Sequence, residues 1–241
     1  IIKCIKRCGL DVVELILQPL ASSEAVLTND EKELGVCLVD IGGGTTDIAI
    51  IKNGSIQHTA VIPIAGDHIT NDIAVAFRTP TQSAEDIKIT YGSAISYMAS
   101  SNERIEIPLV DGHAPKIIST EDLCQVIEPR VTELFELVRS ELQGSRMGNA
   151  IASGIVITGG TSMMKGIPNL GETVFNMPVR IGVPRDIDGL LQVVENPRYA
   201  TGIGLLKIGR DDLEKQLNYK LNGNSLSQIL KAIIMWFKAK F

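Results

Sequence analysis

Positive charge in excess, cysteine pairs and long apolar runs are all missing from this sequence. The 241 residues carry 23 Lys and Arg against 28 Asp and Glu, a formal net charge of −5. A protein that covers a phosphate backbone needs clustered positive charge, so nucleic acid is excluded as the main partner. Cysteine occurs at Cys4, Cys8, Cys37 and Cys124, with no Cys-x-x-Cys pair, and the histidines His58, His68 and His113 are scattered. That pattern excludes a zinc or disulfide framework and points to reduced thiols in a cytosolic protein. No stretch approaches the roughly 18 uninterrupted apolar residues of a membrane span, and no signal peptide is visible. A starting Met is also missing. The chain opens on Ile1, and the stretch to Leu17 reads like the middle of a domain, so a preceding segment is expected.

What is present is ordinary globular composition, 44% hydrophobic and 21% charged, enough for one large or two modest domains with a real core. Apolar Val12, Val13, Ile16 and Leu17 predict a short strand over 12–17, followed by a helix from about Pro19. Asn29-Asp30-Glu31-Lys32-Glu33 reads as a solvated turn. Gly35–Ile41 is nearly all apolar, as a strand buried on both faces must be. Thr45–Lys52 and Ser55–Pro63 are the next two strands, joined by the strong hairpin turn Asn53-Gly54, and the three form an antiparallel meander. Residues 67–100 are helical in character and 102–118 return to short strands. Ser119 or Thr120 caps a long helix whose apolar stripe runs Leu123, Val126, Ile127, Val131, Leu134, Val138 and Leu142 at helical spacing, with Pro129 as a potential kink. Ile155–Thr158 and Val179–Val183 are strands, Asn169–Pro178 is a helix and turn, and Asn196–Gly209 is a helix with small residues facing a neighbour. The polar stretch that follows, to Asn224, reads as a linker.

Two glycine sites carry chemistry. In Asp40-Ile41-Gly42-Gly43-Gly44-Thr45-Thr46-Asp47, an acidic residue ends a buried strand and three glycines turn the chain into a second strand. Glycines let backbone N–H groups approach a phosphate, and successive N–H groups form an anion-binding concavity. Asp40 is placed to hold a hydrated Mg²⁺ beside that phosphate, and Thr45 and Thr46 add hydroxyls. The plain alternative is a glycine-rich hairpin. No Gly-Lys-[Ser/Thr] follows, so this is not a Walker A loop, and the strand leads to another strand, so it is not a dinucleotide fingerprint. In the second site, Ile155–Thr158 runs into Gly159-Gly160-Thr161-Ser162-Met163-Met164 and a helix. Its backbone suits a ribose and α-phosphate, with Met163 and Met164 as apolar cover for a base; the plain alternative is a tight strand-to-helix turn.

These two loops, in this order, resemble those of the superfamily of actin, heat-shock chaperones and sugar kinases, an α/β, ribonuclease H-like ATPase fold. There Asp-x-Gly-Gly-Gly-Thr is the second phosphate motif and Gly-Gly-x-[Ser/Thr] the adenosine motif. Gln18-Pro19-Leu20-Ala21-Ser22-Ser23 resembles the first connecting helix, which implies that Gln18 orients an attacking water. Ala84-Glu85-Asp86-Ile87-Lys88 resembles the helix whose Glu and Lys touch ribose and adenine, and Tyr199–Gly204 the second connecting helix. Within the superfamily, Leu20–Ser23, Asp30–Val36, Val61–Gly66, Ile127–Arg130 and the basic, apolar tail are similar to FtsA. The resemblance covers essentially the whole chain and implies a first phosphate motif before Ile1. It implies that 1–30 and a returning helix at 196–210 belong to the first half of an actin-like fold. Residues 31–66 and 150–195 then form the core of the second half, 67–149 its accessory subdomain, 211–224 a linker and 225–241 a terminal helix. It further implies ATP and Mg²⁺ as cofactors with weak hydrolysis at most, and self-association into actin-like filaments. The partners it implies are the FtsZ C-terminal tail on the accessory subdomain, other divisome proteins and the cytoplasmic face of the bacterial inner membrane at the division site.

The terminal seventeen residues argue separately. Leu226, Ile229, Leu230, Ile233, Ile234, Phe237 and Phe241 fall on one helical face, with Trp236 at its border; Lys231 and Lys238 lie opposite and Lys240 nearby. With no acid in the segment, this reads as an interfacial helix on an anionic membrane surface, about 25 Å long. The other reading is a helix docked on the protein's own core. Two rival functions are an FtsA-like pilus-assembly ATPase, expected to lack such a tail, and a sugar kinase or chaperone. A chaperone needs a substrate-binding β-domain after the ATPase, and only a short tail follows Gly209.

Overall fold

A computed structural model describes residues 1–99, 103–145, 147–187 and 195–214. Its organising element is β1, Val36–Ile41, in which every residue is buried. A strand whose apolar side chains point both ways is satisfied only between two covering layers. β1 pairs antiparallel with β2 (Thr46–Lys52) and parallel with β6 (Ile155–Thr158). β3 (Ser55–Ile62) completes the expected meander, and β7 (Val179–Ile181) lies parallel beyond β6, so the strand order is β3-β2-β1-β6-β7. The predicted hairpin turn forms with φ of 53° at Asn53 and 66° at Gly54, the left-handed pair that a two-residue hairpin requires.

Alternate residues of the sheet feed two cores. Cys37, Val39, Ile41, Ile48, Ile50, Ile155 and Ile157 join a layer built by α4 (Gly66–Phe77), α5 (Thr81–Tyr91), α6 (Thr120–Gly144) and α7 (Ile167–Phe175). Val36, Leu38, Ala49, Ile51 and Val156 face the other way. There they meet α2 (Gln18–Val26) and a helix over 200–214, here α8. Burial in the first layer pushes the Cys37 thiol up to about 12. The stripe expected on α6 is the buried one: Leu123, Ile127, Val131, Leu134, Val138 and Leu142 are at most 5% exposed, and Val126 is partly buried. Ser119 caps α6, its hydroxyl accepting from the Asp122 N–H at 3.0 Å while the Asp122 carboxylate accepts from the Ser119 N–H at 2.9 Å. Pro129 lies inside α6 without ending it. β4 (Arg104–Ile107) and β5 (Lys116–Ser119) form a separate two-stranded sheet.

Three local expectations are corrected. No strand forms over 12–17. That segment is irregular after α1 (Ile2–Arg7), with Val13 94% and Leu15 59% exposed. Strand backbone needs a neighbour for its N–H and C=O groups, and no strand among the described residues lies beside it. The charged run after Thr28 is not a solvated turn but α3, Asn29–Leu34. Its start is a capping box in which Thr28 N–H donates to Glu31 Oε2 at 2.8 Å and Glu31 N–H to Thr28 Oγ1 at 3.2 Å. Glu31 also accepts two hydrogen bonds from Arg180, each 2.6 Å. Burial raises its pKa, but Arg180 and Thr28 outweigh that and the net shift is downward. Finally, a 3₁₀ turn at Pro197–Tyr199 precedes α8, and α8 continues through 214, so the expected linker does not begin at 211. The rest of the linker and the amphipathic tail lie outside the described residues.

α8 meets α2 backbone to backbone. A Cβ on Gly204 would stand 1.7 Å from the Ala21 carbonyl oxygen, whereas one on Gly202 of the same helix meets nothing within 4 Å. Gly204→Ala must therefore wedge the helices apart and is expected to cost about 1–3 kcal/mol. Gly202→Ala is expected to gain up to about 1 kcal/mol from helix propensity alone. Urea unfolding of both variants checks this, and equal shifts would show that the contact does not restrain the helices.

Candidate functional site

Parallel pairing of β1 with β6 brings both glycine sites to one end of the sheet, because Asp40 stands in register with Thr158. Beyond those residues the chains turn as Gly42-Gly43-Gly44 and as Gly159-Gly160. Thr161 Oγ1 donates to the Gly42 carbonyl at 2.9 Å, which staples one loop to the other. Gly159 has φ of 87°, and a Cβ there would lie 2.4 Å from the Ile41 carbonyl oxygen and 2.6 Å from Asp40 Oδ1. Only glycine meets both demands. The start of α4 closes the site from a third side, Gly66 N–H donating to Gly42 O at 3.1 Å and Asp67 N–H to Gly43 O at 2.8 Å. Gly43, Gly44 and Thr45 are exposed, and their N–H groups donate to no acceptor among the described residues. Free successive amides of this kind form an anion-binding concavity.

Asp40 is 4% exposed. Ser22 Oγ of α2 donates to its Oδ2 at 2.6 Å, Thr201 Oγ1 of α8 stands 3.4 Å from the same oxygen, and the two hydroxyls lie 2.9 Å apart. Burial raises the Asp40 pKa, partly offset by hydrogen bonds from Ser22, Gln18 and Thr201. Asp47 faces Asp40 across the β1–β2 ladder. Its pKa is raised by burial and then by the Asp40 charge. The site thus keeps a carboxylate pair at a desolvation cost, with hydroxyls and an amide rather than cations as its protein neighbours.

The structure brings Gln18, Asp40, Gly42–Thr46 and Gly159–Met163 together. Several hydroxyls hold loops in place: Thr46 Oγ1 donates to Ile64 O at 2.7 Å and Ser162 Oγ to Gly159 O at 2.7 Å. Met163 is 56% exposed beside the second loop, while Met164 packs on the core. Glu85 and Lys88 reach the same region through α4. The Lys88 ammonium pairs with Glu85 Oε2 at 2.7 Å and donates to Thr70 Oγ1 at 2.8 Å and Gly66 O at 3.1 Å. Thr70 Oγ1 in turn bonds Glu85. The Glu85 pKa is raised by burial but lowered overall by Lys88 and Thr70. Ser22, Thr201, Asp47 and Gly66 belong to this constellation and are not picked out by motif spacing. Ser22 and Thr201 read in the sequence as small packing residues, and Asp47 as the end of a loop motif. Only their meeting at the end of β1 reveals them.

Comparison with known proteins follows the same lines. A family profile described as "Cell division protein FtsA" matches residues 37–204. The FtsA of Pseudomonas aeruginosa is 51% identical over 99% of this chain and 59% of its own length. That of Escherichia coli K12 is 41% identical over the whole chain and 60% of its length. The chain thus spans about three fifths of these relatives. Among solved structures, MreB5 of Spiroplasma citri bound to ADP aligns with a TM-score of 0.68 and 26% identity, covering 88% of this chain and 64% of that one. The PilM–PilN type IV pilus biogenesis complex aligns at 0.63 with 20% identity over 85% and 55% of the two chains, a likeness of fold alone. The actin-like fold expected from the two glycine loops is therefore present, and the chain belongs to the FtsA family of cell-division proteins.

Proposed function

We propose that this chain carries the second half of an ATP·Mg²⁺ site and the membrane- and FtsZ-facing parts of an adaptor. The adaptor ties the division ring to the cytoplasmic face of the inner membrane. The observation that carries the nucleotide reading is the convergence of two glycine loops on Asp40. Free amides at 43–45 suit phosphate oxygens. The Gly159 backbone lies against Asp40 where any side chain would collide. The buried carboxylate of Asp40 suits Mg²⁺, which keeps most of its waters and takes few protein oxygens. The alignment with MreB structures bound to ADP and to AMPPNP supports the same reading.

In this reading Gly42, Gly43, Gly44, Thr45 and Thr46 cradle the phosphates, and Gly159 to Met163 pass beneath the ribose and base. Glu85 accepts a ribose hydroxyl, and Lys88 belongs to the same edge. Asp40 holds a metal-bound water. Bound Mg²⁺ would spread the phosphate charge. Gln18, whose side chain helps lower the Asp40 pKa, orients the attacking water and supports at most slow hydrolysis. The segments 1–30 and 196–210, 31–66 with 150–195, and 67–149 are proposed as first-half core, second-half core and accessory subdomain. The FtsZ C-terminal tail docks on the last of these, where a groove of about 530 Å³ runs along α6 between Ser96 and Glu136. Actin-like surfaces mediate self-association, and other divisome proteins join through the assembled filament.

No helix among the described residues is long and apolar enough to cross a membrane. Membrane attachment is assigned to Ser225–Phe241. Its apolar face gains about 25 cal/mol per Å² buried, and each Lys near an anionic leaflet adds about 1 kcal/mol.

Three outcomes are expected. The first concerns charge. The folded-state pKa of Asp40 lies above its unfolded value of 3.8, so at neutral pH its ionised form lowers stability. That cost fades as the pH falls through the raised pKa. Asp40→Asn should raise the Tm at pH 7 without nucleotide, and the gain should shrink in acid. Joined behind the N-terminal part of the Pseudomonas relative, the same variant should lose Mg²⁺-dependent ATP binding by calorimetry. Unchanged binding would remove Asp40 from the metal site. The second concerns roles. In that fusion Gln18→Ala should leave ATP affinity within about twofold, less than half a kcal/mol, while slowing any phosphate release. Abolished binding would instead make Gln18 a ligand. The third concerns the tail. In sedimentation with anionic vesicles the whole chain should pellet, and residues 1–224 and Trp236→Glu should stay in solution. Binding should also weaken as salt shortens the Debye length below about 10 Å. Equal pelleting of the truncated chain would favour a docked terminal helix.

A further inference from the structure

The second glycine loop is continued rather than closed at Met163. Met164 N–H donates to the Thr161 carbonyl at 3.1 Å, and the chain runs on through Lys165 and Gly166 into α7. There it meets the segment that leaves α5, Gly92–Ser96. Ser93 pairs with Lys165 in a parallel bridge, and Ala94 N–H donates to the Lys165 carbonyl at 2.8 Å. Gly166 has φ of 81°, and a Cβ there would stand 3.3 Å from Ile95 Cγ1. Ser93, Ala94 and Ile95 are all buried. A buried amide keeps its partner, so Ala94 follows Lys165 wherever the loop's exit goes.

The other end of the segment is held by α6. Ser96 N–H donates to Glu128 Oε2 at 2.9 Å, and the Ser96 hydroxyl donates to the same oxygen. Ser96 and Glu128 both line the groove along α6. Between the two ends, Ser93 Oγ donates to the Ile95 carbonyl at 2.9 Å and accepts the Ile95 N–H at 3.3 Å, which fixes the turn from Lys165 to Glu128. Ile95 alone separates the amide held by the loop's exit from the amide held by the groove wall.

We propose that Gly92–Ser96 is a strap linking the two sites, so that a nucleotide on Gly159–Met163 and a peptide in the α6 groove each tighten the binding of the other. This rests on the nucleotide and groove readings above for its ligands and on the contacts of the strap for its mechanism. A ligand on the second loop restrains Lys165 and Gly166, and through Ala94 and Ile95 it restrains Ser96. The groove then receives its peptide with part of its wall already ordered. Linkage makes the effect equal in both directions.

Hydrogen exchange on this chain without ligands tests the strap. Ser93→Ala removes the turn that joins its ends. The amides of Ala94 and Ser96 should both exchange at least about tenfold faster, while those of 37–41 and 47–51 keep their protection. Loosening at one end alone, or at neither, would show that the ends move independently and would overturn the proposal. If Ser93→Ala does not fold, Glu128→Ala takes its place. It releases Ser96 directly, and the Ala94 amide should loosen with it and recover in Glu128→Gln, whose carbonyl still accepts. An Ala94 amide that exchanges as in the wild type overturns the proposal equally. In the fusion with the Pseudomonas N-terminal part, saturating ATP with Mg²⁺ should tighten a synthetic FtsZ C-terminal tail peptide about fivefold or more. Ser93 lies in neither glycine loop nor the groove wall, and in Ser93→Ala that ratio should fall below about twofold. Equal peptide affinity with and without ATP in the wild-type fusion, or an undiminished ratio in Ser93→Ala, overturns the coupling. A wild-type fusion that binds no ATP, or no peptide, would instead overturn the functional reading, with hydrogen exchange still deciding the strap.

Discussion

The sheet is organised by one strand that has no free face. β1 is buried on both sides and paired on both edges, with an antiparallel neighbour in β2 and a parallel one in β6. The parallel pairing has the larger effect. Parallel strands end at the same edge of a sheet, so residues more than a hundred apart in sequence deliver their following loops to one place. The antiparallel pairing sets Asp47 opposite Asp40. Position within the sheet, rather than any single motif, creates the site.

What the sequence revealed follows from how local each cause is. β1 was legible because a short run that is apolar almost throughout suits a strand covered on both faces. α6 was legible because seven apolar residues repeat at helical spacing. The Asn53-Gly54 turn was legible because few pairs tolerate left-handed backbone twice in succession. Where the cause was distant, reading failed. Val12–Leu17 has strand-like composition but no partner strand among the described residues. The run after Thr28 looked like a solvated turn because its charges hid the cap between Thr28 and Glu31, and because Arg180, the partner of Glu31, lies 149 residues away. In the site the glycines and Asp40 were visible as motif. The hydroxyls of Ser22 and Thr201 were not, since they acquire meaning only by meeting on one carboxylate oxygen from α2 and α8. Nor was Gly66, whose lack of a side chain matters only because Thr161 and Lys88 converge there.

The two faces of the sheet differ in how they are held. The layer with α4 to α7 interlocks through bulky side chains such as Phe135, Ile69 and Leu134. The layer with α2 and α8 has its own, smaller core, with Val26, Leu38, Val156 and Ile203, and adds backbone contact at Gly204 and hydroxyl bonds to Asp40. Interlocked side chains resist sliding, since each shift opens voids or forces overlaps. The Asp40 carboxylate is bonded to this second layer, through Ser22 of α2 and Thr201 of α8.

The buried thiol of Cys37 has a practical consequence. It sits within β1, wholly inaccessible and with its ionisation suppressed, whereas Cys4 and Cys8 are exposed in and just after α1. Alkylating reagents attack the thiolate, so Cys37 is silent until β1 separates from its neighbours. With Cys4 and Cys8 replaced by serine and the buried Cys124 by alanine, the modification rate at Cys37 becomes a clock for opening of the central sheet, read by mass alone.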